Sequence, residues 1–110
     1  MLAVTLKFAS IKDRETFKRL WKPLAEYCQA QEPETLSYKF SEGAEDAACF
    51  AAATTCFIYE RYPTVRDLKE VHDSSPLKLA LGDALAKAGC QVEASLAMYT
   101  ETDLGYADRA

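Results

Sequence analysis

Among the 110 residues of this chain there is a single histidine, His72, and it is the first candidate for chemistry. An imidazole titrates near neutrality, and apolar surroundings would keep it neutral and able to accept a proton, so His72 could act as a general base. Glu60 could orient that ring, or serve as the base itself if burial raises its pKa. Trp21, Tyr38, Phe57, Tyr59 and Tyr62 would supply flat walls for an aromatic ligand, and all but Phe57 a polar donor as well. Each residue also has a plainer reading. A lone histidine on the apolar side of a short helix is commonly a hydrogen-bonded structural residue, and Glu60 can simply pair with Lys39 or with a cation of a partner subunit. Trp21 on a helical stripe is core by default, and strand aromatics pack across strands without touching a ligand.

The elements that must position these side chains can be read from periodicity. In the stretch TTCFIYERYPTVRDLKEVHDSSP, from Thr54 to Pro76, Cys56, Ile58, Glu60 and Tyr62 alternate with Phe57, Tyr59 and Arg61, so two sets face opposite sides of one strand. Neither set is a clear solvent face. Pro63 ends the strand, and Thr64 with Asp67 three residues later makes a capping-box-like helix start. Val65, Leu68, Val71 and His72 then fall on one side of that helix, and Arg66, Lys69, Glu70 and Asp73 on the other, which turns the histidine inward.

Before this stretch, Leu2, Val4, Leu6 and Phe8 alternate with Ala3, Thr5 and Lys7 in a first strand. Ser10 or Asp13 can cap the next element, where Phe17, Leu20, Trp21, Leu24 and Cys28 recur at helical spacing. Pro23 lies inside that helix, so a kink near Arg19 is expected, and the helix should end before Pro33. Leu36, Tyr38 and Phe40 define a second strand closed by Ser41, Glu42 and Gly43, and residues 44–53 read as loop. Ser75 and Pro76 restart a helix whose stripe of Leu77, Ala80, Leu81, Ala84 and Leu85 runs to Gly89. Val92, Ala94, Leu96 and Met98 form a fourth strand. The whole is one α+β domain over 1–101, with a sparsely anchored tail at 102–110. Its order is that of a ferredoxin-like β-α-β-β-α-β protomer: an antiparallel four-stranded sheet, helices on one face, the second helix split. A sheet with one open face carrying aliphatic and aromatic side chains is most simply buried by a second copy, as in a dimeric α+β barrel.

Composition narrows the function classes. The chain is 49% hydrophobic with net charge −4, and its 13 Lys and Arg are scattered, so no nucleic-acid footprint is present. No apolar run reaches membrane-spanning length, and MLAVTLKFAS alternates instead of forming a signal peptide, so no membrane partner and a cytoplasmic location are expected. The four cysteines, Cys28, Cys49, Cys56 and Cys90, form no Cys-x-x-Cys pair and read as buried free thiols. There is no Gly-rich phosphate loop, no metal-ligand spacing and no Ser-His-Asp order, so neither a metal nor a nucleotide cofactor is expected.

Ile58-Tyr59-Glu60-Arg61-Tyr62, then Leu68, then His72-Asp73-Ser74-Ser75-Pro76, set in this order of elements, resembles the antibiotic biosynthesis monooxygenase superfamily of dimeric α+β barrels. The likeness covers about Leu2 to Thr100, with its signature confined to Ile58 to Pro76. Such proteins include small enzymes that oxygenate quinols or anthrone-like polyketides without metal or flavin, haem-degrading enzymes, an isomerase acting on a signalling compound, and members without known activity. The resemblance implies that Glu60 and His72 occupy the positions where the family keeps a Glu on the third strand and a His on the following helix, beside a pocket between helices and sheet. The haem-degrading branch resembles this chain in layout but has an aromatic residue where His72 stands and an iron-ligating histidine about where Gly82 falls, which disfavours haem.

A cofactor-free oxygenase needs a substrate that becomes electron-rich on losing a proton. The expectation is therefore a homodimeric monooxygenase acting on a small aromatic, quinol or polyketide-like compound with O2, His72 and Glu60 assisting deprotonation. An isomerase or tautomerase using the same base, and a non-catalytic small-molecule-binding barrel, are the alternatives.

Overall fold

β1 (Leu2–Phe8) turns Leu2, Val4, Leu6 and Phe8 to one side, all four buried, and it is the strand on which the sheet is built. The computed structural model describes residues 1–43, 54–102 and 104–105. In it, β1 pairs antiparallel with β3 (Thr55–Arg61) on one edge and β4 (Val92–Met98) on the other, and β2 (Ser37–Glu42) pairs antiparallel with β3. The order β2-β3-β1-β4, together with α1 (Ile11–Gln31), α2 (Val65–Asp67) and α3 (Pro76–Ala88), is the ferredoxin-like α+β fold expected from the sequence. The loop expected at 44–53, Cys49 and most of the tail at 102–110 fall outside the described residues.

Strand register decides which residues can meet. Opposed residues of an antiparallel pair share a face. Leu2 and Tyr38 both stand opposite Glu60, and Val4 and Phe40 stand opposite Ile58, so this row of β1, β3 and β2 looks toward the helices. The helix-facing side packs Leu2, Val4, Leu6, Cys56 and Ile58 against Phe17, Trp21, Leu24 and Cys28 of α1. Ser10, extended at φ −154°, caps α1 by accepting a hydrogen bond from the Asp13 N–H at 3.1 Å. α1 stays wound through Pro23, with Trp21 and Leu24 buried on either side, so packing offsets the cost of the proline without ending the helix. It ends where Glu32 N–H donates to the Cys28 carbonyl at 2.9 Å, one residue before Pro33.

The segment carrying the histidine is wound differently from its sequence period. Thr64 caps α2, accepting from the Asp67 N–H at 3.1 Å and donating to its carboxylate at 2.8 Å. After these three residues the chain widens into a π-helical turn, Leu68–His72, in which Asp73 N–H reaches back to the Leu68 carbonyl at 2.9 Å. Such wide turns are rare and tend to occur at functional sites. Leu68 and His72 are both buried, as their spacing of four predicts, while Val65, expected beside them, is exposed. Beyond Ser75, α3 runs to Gly89, whose φ of +67° is the left-handed C-cap that glycine adopts without strain.

Two apolar regions stay uncovered. Leu96 and Met98 stand opposite Val4 and Leu2, on the helix-facing side of the β4 edge, yet are 68% and 52% exposed. On the opposite face Phe57 is 39% exposed. No helix among the described residues is long and apolar enough to cross a membrane.

Candidate active site

His72 is fully buried, and its two ring nitrogens look onto different neighbours. Nδ1 lies 3.1 Å from Glu32 Oε1 and 3.5 Å from Cys28 Sγ. Nε2 lies 3.6 Å from Glu60 Oε1, beyond hydrogen-bond reach, and has no hydrogen-bond partner. A carboxylate beside Nδ1 selects the tautomer in which Nδ1–H donates to Glu32, which leaves the lone pair on Nε2. Glu32 itself is buried and held by a hydrogen bond from the Thr35 hydroxyl at 3.1 Å, while its Oε2 is unpartnered.

Aromatic side chains close the ring in. Tyr38 meets the imidazole edge-on, with ring centres 4.8 Å apart, and Tyr62 lies 5.7 Å away. Tyr38 is itself fixed by the Trp21 indole N–H, which donates to its hydroxyl at 3.0 Å. The Tyr62 hydroxyl donates to Glu60 Oε1 at 2.7 Å. Burial pushes the phenols of Tyr38 and Tyr62 well above their ordinary range, and it pushes the Cys28 thiol up to about 12, so these three stay protonated. Burial likewise raises the Glu60 carboxyl, with the Tyr62 hydrogen bond and His72 pulling it partly back.

That raised value has a consequence for stability. With the folded carboxyl binding its proton more tightly than the unfolded one, whose reference lies at 4.5, Glu60 costs nothing below that pH. It progressively destabilises as pH rises from there through the folded pKa. In chelator-treated protein, Glu60→Gln should flatten this decline: from pH 4.5 upward its urea midpoint should fall less than that of the parent. Parallel curves for the two proteins would mean that Glu60 ionises without penalty.

The candidates named from sequence divide by strand face. His72, Glu60, Tyr38, Tyr62 and Trp21 come together in one cluster. Phe57 and Tyr59 are not brought to it. They alternate with Cys56, Ile58 and Glu60 along β3 and therefore lie on the far face of the sheet, where the Tyr59 hydroxyl reaches Glu101 at 3.5 Å. Glu101 also pairs with Arg61 at 2.9 Å, which ties the chain beyond β4 to β3. Glu32 and Cys28 were missed. A signal for both existed, because the buried stripe Leu24 and Cys28 continues at the same spacing of four onto Glu32, an acid placed where an apolar residue belongs.

Cys28, Glu32 and His72 also offer three ligand atoms that all lie within 4.8 Å of one another, a set that could hold a metal ion. A cavity of about 330 Å³ is lined in part by Leu2, Tyr62, Thr64, Leu68 and Met98; neither His72 nor Glu60 lines it. Tyr62, which lines that cavity, is also the ring that lies 5.7 Å from the imidazole.

Solved structures with this arrangement define the class of fold. A candidate antibiotic biosynthesis monooxygenase from Caulobacter crescentus superposes with a TM-score of 0.68 at 18% identity, over 91% of this chain and 89% of the other. The cofactor-independent oxygenase SnoaB from Streptomyces nogalater, solved as a single-site variant, superposes at 0.60 with 12% identity, over 94% and 97%. A dimeric ferredoxin-like protein of unknown function from Bacteroides fragilis matches at 0.57 with 12% identity, over 89% and 95%. This chain shares the ferredoxin-like fold of these solved structures. No family model and no curated protein matches its sequence.

Proposed function

We propose that the protein is a cofactor-independent monooxygenase that oxidises a small aromatic, quinol or polyketide-like compound with O2, as a cytoplasmic homodimer. The observation that carries this reading is the bare Nε2 of a fully buried imidazole whose Nδ1 is held by a carboxylate. A structural core histidine would have both nitrogens satisfied, since a buried polar atom without a partner costs about 1–3 kcal/mol. A base needs that lone pair free.

In this reading Nε2 takes the proton of a phenolic hydroxyl, and Glu32 stabilises the imidazolium that forms. The resulting anion is electron-rich enough to pass an electron to O2, so the protein's work is deprotonation and positioning. Glu60, raised by burial, stands 3.6 Å from Nε2 and can share the proton on its way out. Tyr38 and Tyr62 provide the aromatic walls. The substrate enters by way of the cavity lined by Tyr62, whose ring lies 5.7 Å from the imidazole.

The test is oxygen uptake by chelator-treated protein against a panel of quinols and anthrones. Uptake above the buffer rate that is lost in a His72 variant supports the reading. Turnover that persists without oxygen would instead indicate an isomerase or tautomerase, and binding without turnover a non-catalytic barrel.

The homodimer rests on the far face of the sheet, where Phe57 is exposed beside Tyr59 on β3. Packing two such faces together would bury them. Light scattering should give twice the chain mass, shifting to the chain mass in Phe57→Glu. A parent protein that scatters as a monomer at working concentrations would remove the dimer from the proposal.

A further inference from the structure

The same buried cluster carries a second kind of chemistry on the other side of the imidazole. We infer that Cys28, Glu32 and His72 form a binding site for a divalent transition-metal ion, best suited to Zn²⁺, with the ion on His72 Nδ1. The inference stands independently of the oxygenase reading.

Three observations support it. The first is spacing. Zinc bonds of about 2.0–2.3 Å to N, O and S at tetrahedral angles place ligand atoms about 3.3–3.6 Å apart. Nδ1 lies 3.5 Å from Cys28 Sγ and 3.1 Å from Glu32 Oε1, near that spacing, and all three ligand atoms lie within 4.8 Å of one another. The second is an unpartnered acceptor: Glu32 is 4% exposed, and its Oε2 has no hydrogen-bond partner, which leaves ligand capacity unused in the cluster. The third is the far side of the ring. A metal-bound histidine characteristically donates its other N–H to a carboxylate, and Glu60 Oε1 stands 3.6 Å from Nε2, where a small approach completes that bond.

Charge and protons balance. The ion displaces the proton of the Cys28 thiol to solvent, while the imidazole proton moves from Nδ1 to Nε2. Thiolate and carboxylate together then neutralise the divalent charge, which makes its burial tolerable. The mixed N, O and S donor set suits zinc over magnesium or calcium, and a three-residue set leaves a fourth position for water. Occupancy would remove the bare Nε2 lone pair, so the ion would act as a switch on any base chemistry there.

Cobalt(II), a spectroscopic stand-in for zinc, tests the site without reference to activity. Chelator-treated parent protein should bind one Co²⁺ per chain with a thiolate-to-cobalt charge-transfer band. That band should vanish in Cys28→Ser and persist in Cys56→Ser and Cys49→Ser. Glu60→Gln should keep the band but lower Zn²⁺ affinity on the order of 10–100-fold, as loss of an outer-shell carboxylate does. Zn²⁺ loading should also move the ring proton of His72 from Nδ1 to Nε2 in its ¹⁵N spectrum. Absence of stoichiometric binding to the parent, a charge-transfer band that survives in Cys28→Ser, or a His72 proton that stays on Nδ1 in the zinc-loaded protein would each overturn the site. Circular dichroism of Cys28→Ser ensures that a lost band is read on folded protein.

Discussion

His72→Gln is expected to lower oxygen uptake by roughly 10²–10⁴-fold, the usual contribution of a positioned general base, while leaving the protein folded. Glutamine is close to histidine in volume and fills the same buried space, but its amide lies where Nε2 does, so the Nδ1 contact with Glu32 Oε1 at 3.1 Å is not reproduced. What it lacks is a titratable nitrogen with a free lone pair. The loss should fall on kcat, because the aromatic walls of Tyr38 and Tyr62 remain for binding. Stopped oxygen-electrode traces at saturating quinol, with circular dichroism run beside them, measure both halves. A folded variant with undiminished kcat would transfer the base role away from His72.

The second large effect is on stability. Leu24→Ala should cost about 2–5 kcal/mol, the range for removing a fully buried leucine and leaving a cavity. Leu24 is 2% exposed and lies in the α1 stripe between Trp21 and Cys28. A small domain has only about 5–15 kcal/mol of net stability, so this is a large share of it. Urea unfolding should show the midpoint falling with an unchanged slope. A loss below about 1 kcal/mol would contradict tight packing of α1 on the sheet, since deletions of this size at well-packed sites cost more. Because Leu24 is followed at spacings of four by Cys28 and Glu32, a loosened α1 should also blur the position of Glu32 against His72.

Much of this arrangement was legible in the sequence, for reasons that differ between elements. β1 and β3 could be read because period-two alternation is a direct consequence of pleating, and Leu2 through Phe8 keeps it without a break. α1 could be read because its apolar stripe spans several turns and a serine sits at its cap. The nearness of His72 and Glu60 was implied only by the family resemblance, and periodicity alone did not say which of Tyr38, Tyr59 and Tyr62 would join them. Other features depend on geometry that no local period encodes. The π-helical turn is a departure from the helical period itself, so a reading built on that period placed Val65 on the buried face. Phe57 and Tyr59 could not be assigned a face until register fixed Glu60 opposite Leu2. Glu32 was hidden because an acid at the end of a helix beside a proline reads as a solvated terminus. Its partner His72 is 40 residues away in the chain.

The most direct test uses the fact that the chain has one histidine, so its ring gives a single set of ¹⁵N resonances. Long-range ¹H–¹⁵N correlation on chelator-treated protein in the neutral-ring state should place the ring proton on Nδ1, facing Glu32, and leave Nε2 bare. The opposite tautomer, with the proton on Nε2 and the lone pair turned toward Glu32 and Cys28, would contradict the assignment of Nε2 as the base.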